Sequence, residues 1–158
     1  MLVETDILPQ LAERGYNILH ITSKLGAYVN HTKVNREKFF DTLTSWGRDP
    51  LKKFVIFHYS ILSEGINVSG LTHCILLRNQ SVVSMAQTVG RVIRLHPDDA
   101  TDIANGVIPR GQLQLYRKPT GYVTIPIHKN HGKRTLTRLQ RVVDEIFIQG
   151  IPATAYVG

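Results

Sequence analysis

Short apolar runs alternate along the chain with segments in which apolar residues recur at helical spacing. Continuous apolar runs predict three buried strands, at residues 16–22, 53–58 and 72–77. Helical spacing predicts four helices, at about 3–14, 36–46, 83–95 and 133–149. Gly15 and Pro97 mark the ends of two predicted helices, and Asn35 marks the start of another. Strands that are apolar throughout and alternate with helices favour a mostly parallel sheet.

The remaining segments are less regular. Residues 24–31 and 98–112 have the polar and Gly/Pro-rich composition of loops, and 113–117 and 121–127 are interpreted as two further strands. The predicted fold is therefore an α/β three-layer sandwich, with helices on both faces of the sheet. In such sheets, ligands bind at the carboxyl ends of the strands.

Composition describes an ordinary globular chain with an excess of positive charge. The 158 residues fit one domain, with 42% hydrophobic and 20% charged residues. The net charge of +7 favours nucleic acid as a partner, then nucleotides, then acidic membranes, although solubility alone also explains it. One cysteine, no apolar run of membrane-spanning length and no signal-peptide pattern lead us to expect a cytoplasmic, reducing location without membrane contact.

Two arginines with a glycine and a glutamine form the main candidate site. Gln87, Gly90, Arg91 and Arg94 lie at helical offsets, so the polar side chains form one stripe on the predicted helix. Paired guanidinium groups suit a triphosphate, because each can donate two hydrogen bonds to phosphate oxygens and neither loses its charge. A solvated charged face also explains two arginines, but it requires neither the glycine nor the glutamine.

The segment from Ser63 to Gly70 is the second candidate. Gly65 permits a turn that exposes backbone N–H groups, and such groups can hold a phosphate. Alone, the segment is more typical of a connection between strands than of a phosphate site.

Together the two segments resemble motifs V and VI of the superfamily 2 helicases and translocases. Motif VI of that family reads roughly Q-x-x-G-R-x-x-R, and Gln87, Gly90, Arg91 and Arg94 match every fixed position. Motif V ends in an acidic or basic residue, glycine, an apolar residue and Asp or Asn, as in the stretch from Glu64 to Asn67. The order and separation of the two motifs also agree with the family.

The resemblance implies that residues 1–158 form a single helicase C-terminal domain with a RecA-like fold, the second of two motor domains. It assigns a catalytic role to Arg91, Arg94 and Gln87, with one arginine acting as an arginine finger toward ATP. It also assigns nucleotide coupling to Gly65, Asn67 and Gly90. Contacts with DNA or RNA are expected from four residues at strand ends: Thr22, Ser23, Tyr59 and Ser60.

The chain departs from the family pattern in ways that limit the expected activity. Tyr59 and Ser60 occupy places where the family commonly has Thr and Asp, and the usual first strand is missing or reduced, as in a fragment. No G-x-x-x-x-G-K-[ST] phosphate loop is present. We therefore expect ATP and Mg²⁺ to be shared with an N-terminal domain that carries the phosphate loop and the acidic residues, and no ATPase activity from this chain alone.

Other interpretations remain open. The chain is alternatively a stand-alone nucleic-acid-binding or regulatory module that has lost the motor function, or an unrelated α/β enzyme that uses the arginines for a phosphorylated metabolite. No metal site is predicted, because the one close histidine pair, His128 and His131, has no acidic or cysteine partner nearby. A late basic cluster is either a solvated helix face or a phosphate-backbone track; its members are Lys129, Lys133, Arg134, Arg138 and Arg141.

Overall fold

A computed structural model of the chain describes residues 6–59, 68–126 and 133–146. Backbone contacts divide the chain into two compact units, Met1–Gly70 and Leu71–Gly158. The interpretation of residues 1–158 as a single helicase C-terminal domain stays a prediction.

In the part of the first unit that the structure describes, residues 6–59 and 68–70, there are a mixed four-stranded sheet and two helices. Its elements in chain order are α1 (Ile7–Glu13), β1 (Asn17–Thr22), β2 (Gly26–Val29), β3 (Thr32–Val34), α2 (Arg36–Arg48) and β4 (Phe54–His58). The strand order is β3-β2-β1-β4. β1 is antiparallel to β2 and parallel to β4, with Leu19 opposite Val29 on one side and Ile56 on the other, and β2 is antiparallel to β3.

The prediction of a RecA-like, mostly parallel three-layer sandwich is wrong. Two of the three strand pairings in the larger sheet are antiparallel, because the segment predicted as a loop, 24–31, contains strand β2 and leads directly into strand β3. Gly26 (φ +84°) and Asn30 (φ 52°) adopt left-handed conformations near the ends of β2, where the chain reverses. The hairpin therefore occupies the edge of β1 where a parallel sheet would continue.

The core of the first unit is built on β1 and α2. Residues 18–21 of β1 are all buried, so both faces of this strand are covered. The Asn35 side chain accepts a hydrogen bond of 2.8 Å from the backbone N–H of Lys38, which caps the start of α2. Phe39 and Leu43 of α2 are fully buried, and burial of each such side chain contributes about 1.5–3 kcal/mol.

The second unit has a small parallel sheet with helices packed on it. Its elements are β5 (His73–Ile75), α3 (Val82–Val92), α4 (Pro97–Ala104), a 3₁₀ turn (Leu113–Leu115), β6 (Tyr122–Thr124) and α5 (Lys133–Ile146). β5 and β6 are parallel, with Cys74 opposite Val123. A core of Leu76, Met85, Val89 and Val142 joins β5, α3 and α5.

Three local predictions in this unit differ from the structure. α3 ends at Val92 rather than near residue 95, residues 97–104 are helical rather than loop, and 113–115 form a 3₁₀ turn rather than a strand. Residues 97–104 form helix α4 because favourable contacts occur at its start. His96 Nδ1 accepts a hydrogen bond from the backbone N–H of Asp98, and Pro97 occupies the first turn. Pro97 therefore begins a new helix as well as following the end of α3.

Candidate functional site

Helix α3 presents its predicted site residues on the side away from the core. Ser81 caps the helix by accepting from the N–H of Ser84, and Met85, Val89 and Val92 are buried. Because each residue turns the helix by about 100°, Gln87, Gly90 and Arg91 lie on the opposite side. The structure thus brings together three of the four residues of the arginine motif.

The two arginines of the motif influence each other electrostatically. Burial lowers the pKa of Arg91, and the positive charge of Arg94 lowers it further. Arg91 is half-buried and Arg94 is exposed. Two cations held at close range on one surface favour an anion between or beside them, since its charge offsets their mutual repulsion.

Gly90 does not serve packing within the described parts of the chain. A Cβ atom built on Gly90 would meet nothing within 4 Å. A glycine inside a helix costs about 0.5–1 kcal/mol relative to alanine. The described residues therefore give no packing reason for a glycine at this position, and the surface over it is open.

Arg94 lies beyond the end of α3, where helical geometry no longer fixes its direction. Ile93 is the C-cap residue of the helix. The ammonium group of Lys118 donates a hydrogen bond of 2.7 Å to the backbone carbonyl of Arg94. Gly121 lies so close to the helix end that a Cβ atom there would be 2.5 Å from the carbonyl oxygen of Val92. The segment from Lys118 to Gly121 therefore packs against the last turn of α3.

A buried carboxylate orders this segment. Asp99 is fully buried and accepts hydrogen bonds from the backbone N–H groups of Arg117 (3.1 Å) and Lys118 (3.2 Å). The guanidinium of Arg117 bridges Asp99 at 2.9 Å and Asp102 at 2.8 Å. Burial alone would raise the pKa of Asp99, but the hydrogen bonds from Arg117 and Lys118 outweigh burial and the pKa is lowered.

Sequence reasoning missed Asp99, Arg117 and Lys118. Pro97-Asp98-Asp99 is a helix-start pattern, with proline and acidic residues in the first turn, and it could have revealed α4. Nothing in the sequence pattern marks Lys118, which is 24 positions from its partner Arg94.

The predicted nucleic-acid contacts of the first unit come from neighbouring strand ends. β1 and β4 are parallel, with Ile21 opposite His58, so Thr22 and Tyr59 follow at the same edge of the sheet. The hydroxyl of Thr22 accepts from the N–H of Leu25 at 3.0 Å, whereas Ser23 and Tyr59 are exposed. Ser60, Gly65 and Asn67 lie outside the described residues.

The packing of α5 on α3 gives the members of the late basic cluster different surroundings. Arg138 donates hydrogen bonds of 2.7 Å to Asn79 Oδ1 and to the backbone carbonyl of Gln80, just before α3. Lys133, Arg134 and Arg141 are exposed on α5. Arg138 therefore joins two elements of the second unit, and the exposed cations remain candidates for phosphate contact. Lys129 lies outside the described residues.

Other candidate features lie apart from these residues. A cleft of about 250 Å³ in the first unit is lined in part by His20, Tyr28 and His31, and it contains none of the predicted site residues. The rings of His20 and Tyr28 stack at 5.9 Å, and burial lowers the pKa of His20. Cys74 packs against the core of the second unit, and burial raises the pKa of its thiol to about 11, which disfavours the nucleophilic thiolate.

Residues 6–59, 68–126 and 133–146 contain neither a candidate metal cluster nor a membrane-spanning helix. These residues hold no group of three or more His, Cys, Asp or Glu side chains that could bind a metal ion. Within the same ranges, no helix has the length and apolar character needed to cross a membrane.

Comparisons with known proteins give no relative. No protein-family model, no curated protein and no solved structure matches this chain.

Proposed function

We propose that this chain supplies phosphate-contacting arginines to an ATP-dependent nucleic-acid motor of the superfamily 2 helicase type. The observation that carries the proposal is the surface of α3 opposite the core, where Gln87, Gly90 and Arg91 lie and which Arg94 follows. The motif-VI pattern of these four residues supports the same conclusion. The proposal depends on this helix and does not depend on the arrangement of the sheet.

In the proposed mechanism, Arg91 and Arg94 contact phosphate oxygens of ATP and stabilise the negative charge that develops on the transferring phosphoryl group. Gln87 orders the site by hydrogen bonding, and the open surface over Gly90 admits the phosphates. Guanidinium groups are cationic hydrogen-bond donors, which suit phosphate oxygens and do not coordinate a metal ion. Mg²⁺ would therefore be held by a separate domain with a phosphate loop and acidic residues.

DNA or RNA is the second proposed partner. Ser23 and Tyr59 would contact its backbone with Thr22 and Ser60, and Gly65 and Asn67 would couple that contact to the nucleotide. The net charge of +7 supports a polyanionic partner. A cytoplasmic, reducing location is part of the proposal, because the proposed reaction uses ATP.

Reconstitution of activity tests the motor function. The full chain is mixed with an ATP-binding domain encoded next to it, and ATP hydrolysis is measured with and without single-stranded DNA or RNA. We expect nucleic-acid-stimulated hydrolysis in the mixture and none from the chain alone. Arg91→Ala and Arg94→Ala should each reduce the rate at least about 100-fold, as expected for loss of a finger-type contact. Arg110→Ala removes an exposed cation elsewhere in the second unit and is the matched control.

The second candidate function is a stand-alone nucleic-acid-binding or regulatory module. The mixed sheet of the first unit favours it, because two of three pairings there are antiparallel, unlike the expected motor domain. Salt-sensitive nucleic-acid binding without ATP hydrolysis in any mixture would support this module and contradict the motor.

A further inference from the structure

The C-terminal end of α3 is held by a side chain from a distant part of the sequence. Lys118 binds the residue that follows the C-cap, since its Nζ donates a hydrogen bond of 2.7 Å to the carbonyl oxygen of Arg94, just past the helix end. Gly121 allows the backbone of the same segment to approach the carbonyl of Val92. Both contacts lie within the second unit.

Lys118 is unusually placed for a lysine. It is 7% exposed, whereas lysines are almost never fully buried unless they are paired. A long, flexible side chain loses rotational freedom when it is held in one position, so this placement needs support. Asp99 supplies the support, because its fully buried carboxylate accepts from the backbone N–H of Lys118 and of Arg117.

The hydrogen bond from Lys118 restrains the backbone of Arg94. Ile93 ends the helix with φ −86° and ψ −6°, so Arg94 is the first residue whose conformation the helix does not impose. Its carbonyl is anchored by Lys118, while its own side chain is exposed. Anchoring this carbonyl restrains the peptide plane that follows the Cα atom of Arg94, and so limits the directions in which its side chain can extend relative to Arg91 on the last turn of α3.

We propose that Lys118, held in place by Asp99, is a positioning residue that fixes Arg94 relative to Arg91 and so assembles a two-arginine site for polyphosphate. This inference rests on the proposed function, because it takes the two arginines as the phosphate contacts. Lys118 and Asp99 do not themselves touch the anion. They act through the backbone of Arg94, and their substitution has no effect on binding once the Arg94 side chain is gone.

A double-mutant cycle on the full chain tests this positioning. The probe is inorganic tripolyphosphate, and its binding is followed by NMR chemical-shift titration. Arg94→Ala is expected to weaken binding about fivefold, as loss of one charge-assisted contact on an exposed surface. Lys118→Met, which removes the donor nitrogen while keeping an unbranched side chain, is expected to weaken it about threefold. In the Arg94→Ala background, Lys118→Met should change binding by less than about twofold, the usual limit of additivity error.

Two further variants separate positioning from general destabilisation. Lys118→Arg keeps a donor at the end of a long side chain and should restore most of the binding. Arg110→Met removes a charge from an exposed position and should bind like the unaltered chain within about twofold. If Lys118→Met does not fold, Lys118→Gln replaces it in the cycle, because its side chain is one bond shorter and does not reach the carbonyl.

The outcomes distinguish the two proposals. Coupling between Lys118 and Arg94, with rescue by arginine at position 118, supports the positioning role. If Arg94→Ala weakens binding but Lys118→Met does not, or if the two effects add independently, positioning is wrong and the phosphate site stands. If Arg94→Ala leaves tripolyphosphate binding unchanged, or if no binding is detected, the phosphate site itself is wrong and the positioning inference is overturned with it.

Discussion

The backbones of Gly47 and Gly70 are in direct contact within the first unit. A Cβ atom on Gly70 would lie 2.5 Å from the carbonyl oxygen of Gly47, and one on Gly47 would lie 2.6 Å from the carbonyl oxygen of Ser69. Gly47 belongs to α2, and Gly70 ends the glycine-bracketed segment that resembles motif V. The end of that segment is thus held against α2 through backbone contact, which only glycine permits at both positions.

Alanine at Gly70 is expected to destabilise the first unit. The residue has φ +74°, and the added Cβ would also meet the carbonyl of Gly47, so we expect a loss of about 2–4 kcal/mol in the free energy of unfolding. Urea unfolding followed by the fluorescence of the one tryptophan, Trp46 in α2, measures it. Gly15→Ala is the matched control, because Gly15 has φ +79° and open space around it. Equal losses in both variants would contradict close contact at Gly70.

Alanine at Gly90 is expected to have opposite effects on stability and on binding. The position is helical and open, so Gly90→Ala should stabilise α3 by about 0.5–1 kcal/mol, while the added methyl group obstructs tripolyphosphate. Thermal unfolding by circular dichroism and NMR titration measure the two effects.

Gly121→Ala is the contrasting variant for the same unit. Its Cβ would meet the carbonyl of Val92, so it should destabilise the unit by about 1–3 kcal/mol. A Gly90→Ala protein that is more stable and binds tripolyphosphate as well as before would show that nothing approaches this surface.

Much of the second unit's secondary structure, but not the fold, could be predicted from the sequence. The apolar spacing over residues 83–92 and 133–146 is strong, and α3 and α5 lie there, with their apolar residues Met85, Val89 and Val142 in one core. The hairpin of β2 and β3 was missed because its strands are only four and three residues long, and its turn depends on positive φ at Asn30. Such short strands, stabilised by pairing of β2 with β1 and of β3 with β2, leave little periodicity in the sequence.

Only the part of the candidate site that lies within helix α3 could be predicted from the spacing of residues in the sequence. Gln87, Gly90 and Arg91 share one side of α3 as their offsets require, but Arg94 lies past the helix end, where spacing has no meaning. Its anchor, Lys118, follows from long-range packing. The buried charge of Asp99 likewise depends on two N–H groups that are 18 and 19 positions away. Contacts of this kind arise from the tertiary fold.

The lowered pKa of Asp99 predicts loss of stability in acid. The folded state holds this carboxylate ionised to a lower pH than the unfolded chain, whose aspartates have the ordinary pKa of 3.8. Between these two pKa values the unfolded chain binds more protons, so the free energy of unfolding falls as pH falls below about 4. Asp99→Asn should lower stability at pH 7 by about 2 kcal/mol, by loss of charge-assisted hydrogen bonds, and should flatten the acid dependence.

The control for this pH dependence is Asp98→Asn. Asp98 is exposed and precedes Asp99 in the same helix turn. Urea unfolding midpoints between pH 3 and pH 7 compare the variants with the unaltered chain. If the stability of the Asp99→Asn variant falls with pH as much as that of the unaltered chain, the carboxylate of Asp99 does not cause the loss of stability in acid.

Substitutions of the basic residues of α5 should have two different effects, one on stability and one on nucleic-acid binding. Arg138 joins α5 to the residues before α3 through Asn79 and Gln80, so Arg138→Ala should lower the midpoint of thermal unfolding. Arg141 is exposed on the same helix. If α5 follows a nucleic-acid backbone, Arg141→Ala should leave the midpoint unchanged and reduce the slope of log K against log salt concentration by about 0.9 for a lost phosphate contact in duplex DNA.

Fluorescence anisotropy with a labelled DNA duplex at a series of salt concentrations measures this slope, and circular dichroism measures the unfolding midpoint. Gln140→Ala is the uncharged control, because Gln140 is exposed beside Arg141 and donates a hydrogen bond of 2.7 Å to Asp144 of the same helix. An Arg141→Ala slope equal to that of Gln140→Ala would show that Arg141 belongs to a solvated helix face. The remaining candidates for the phosphate track would then be Lys133 and Arg134 of α5 and the residues at the ends of β1 and β4.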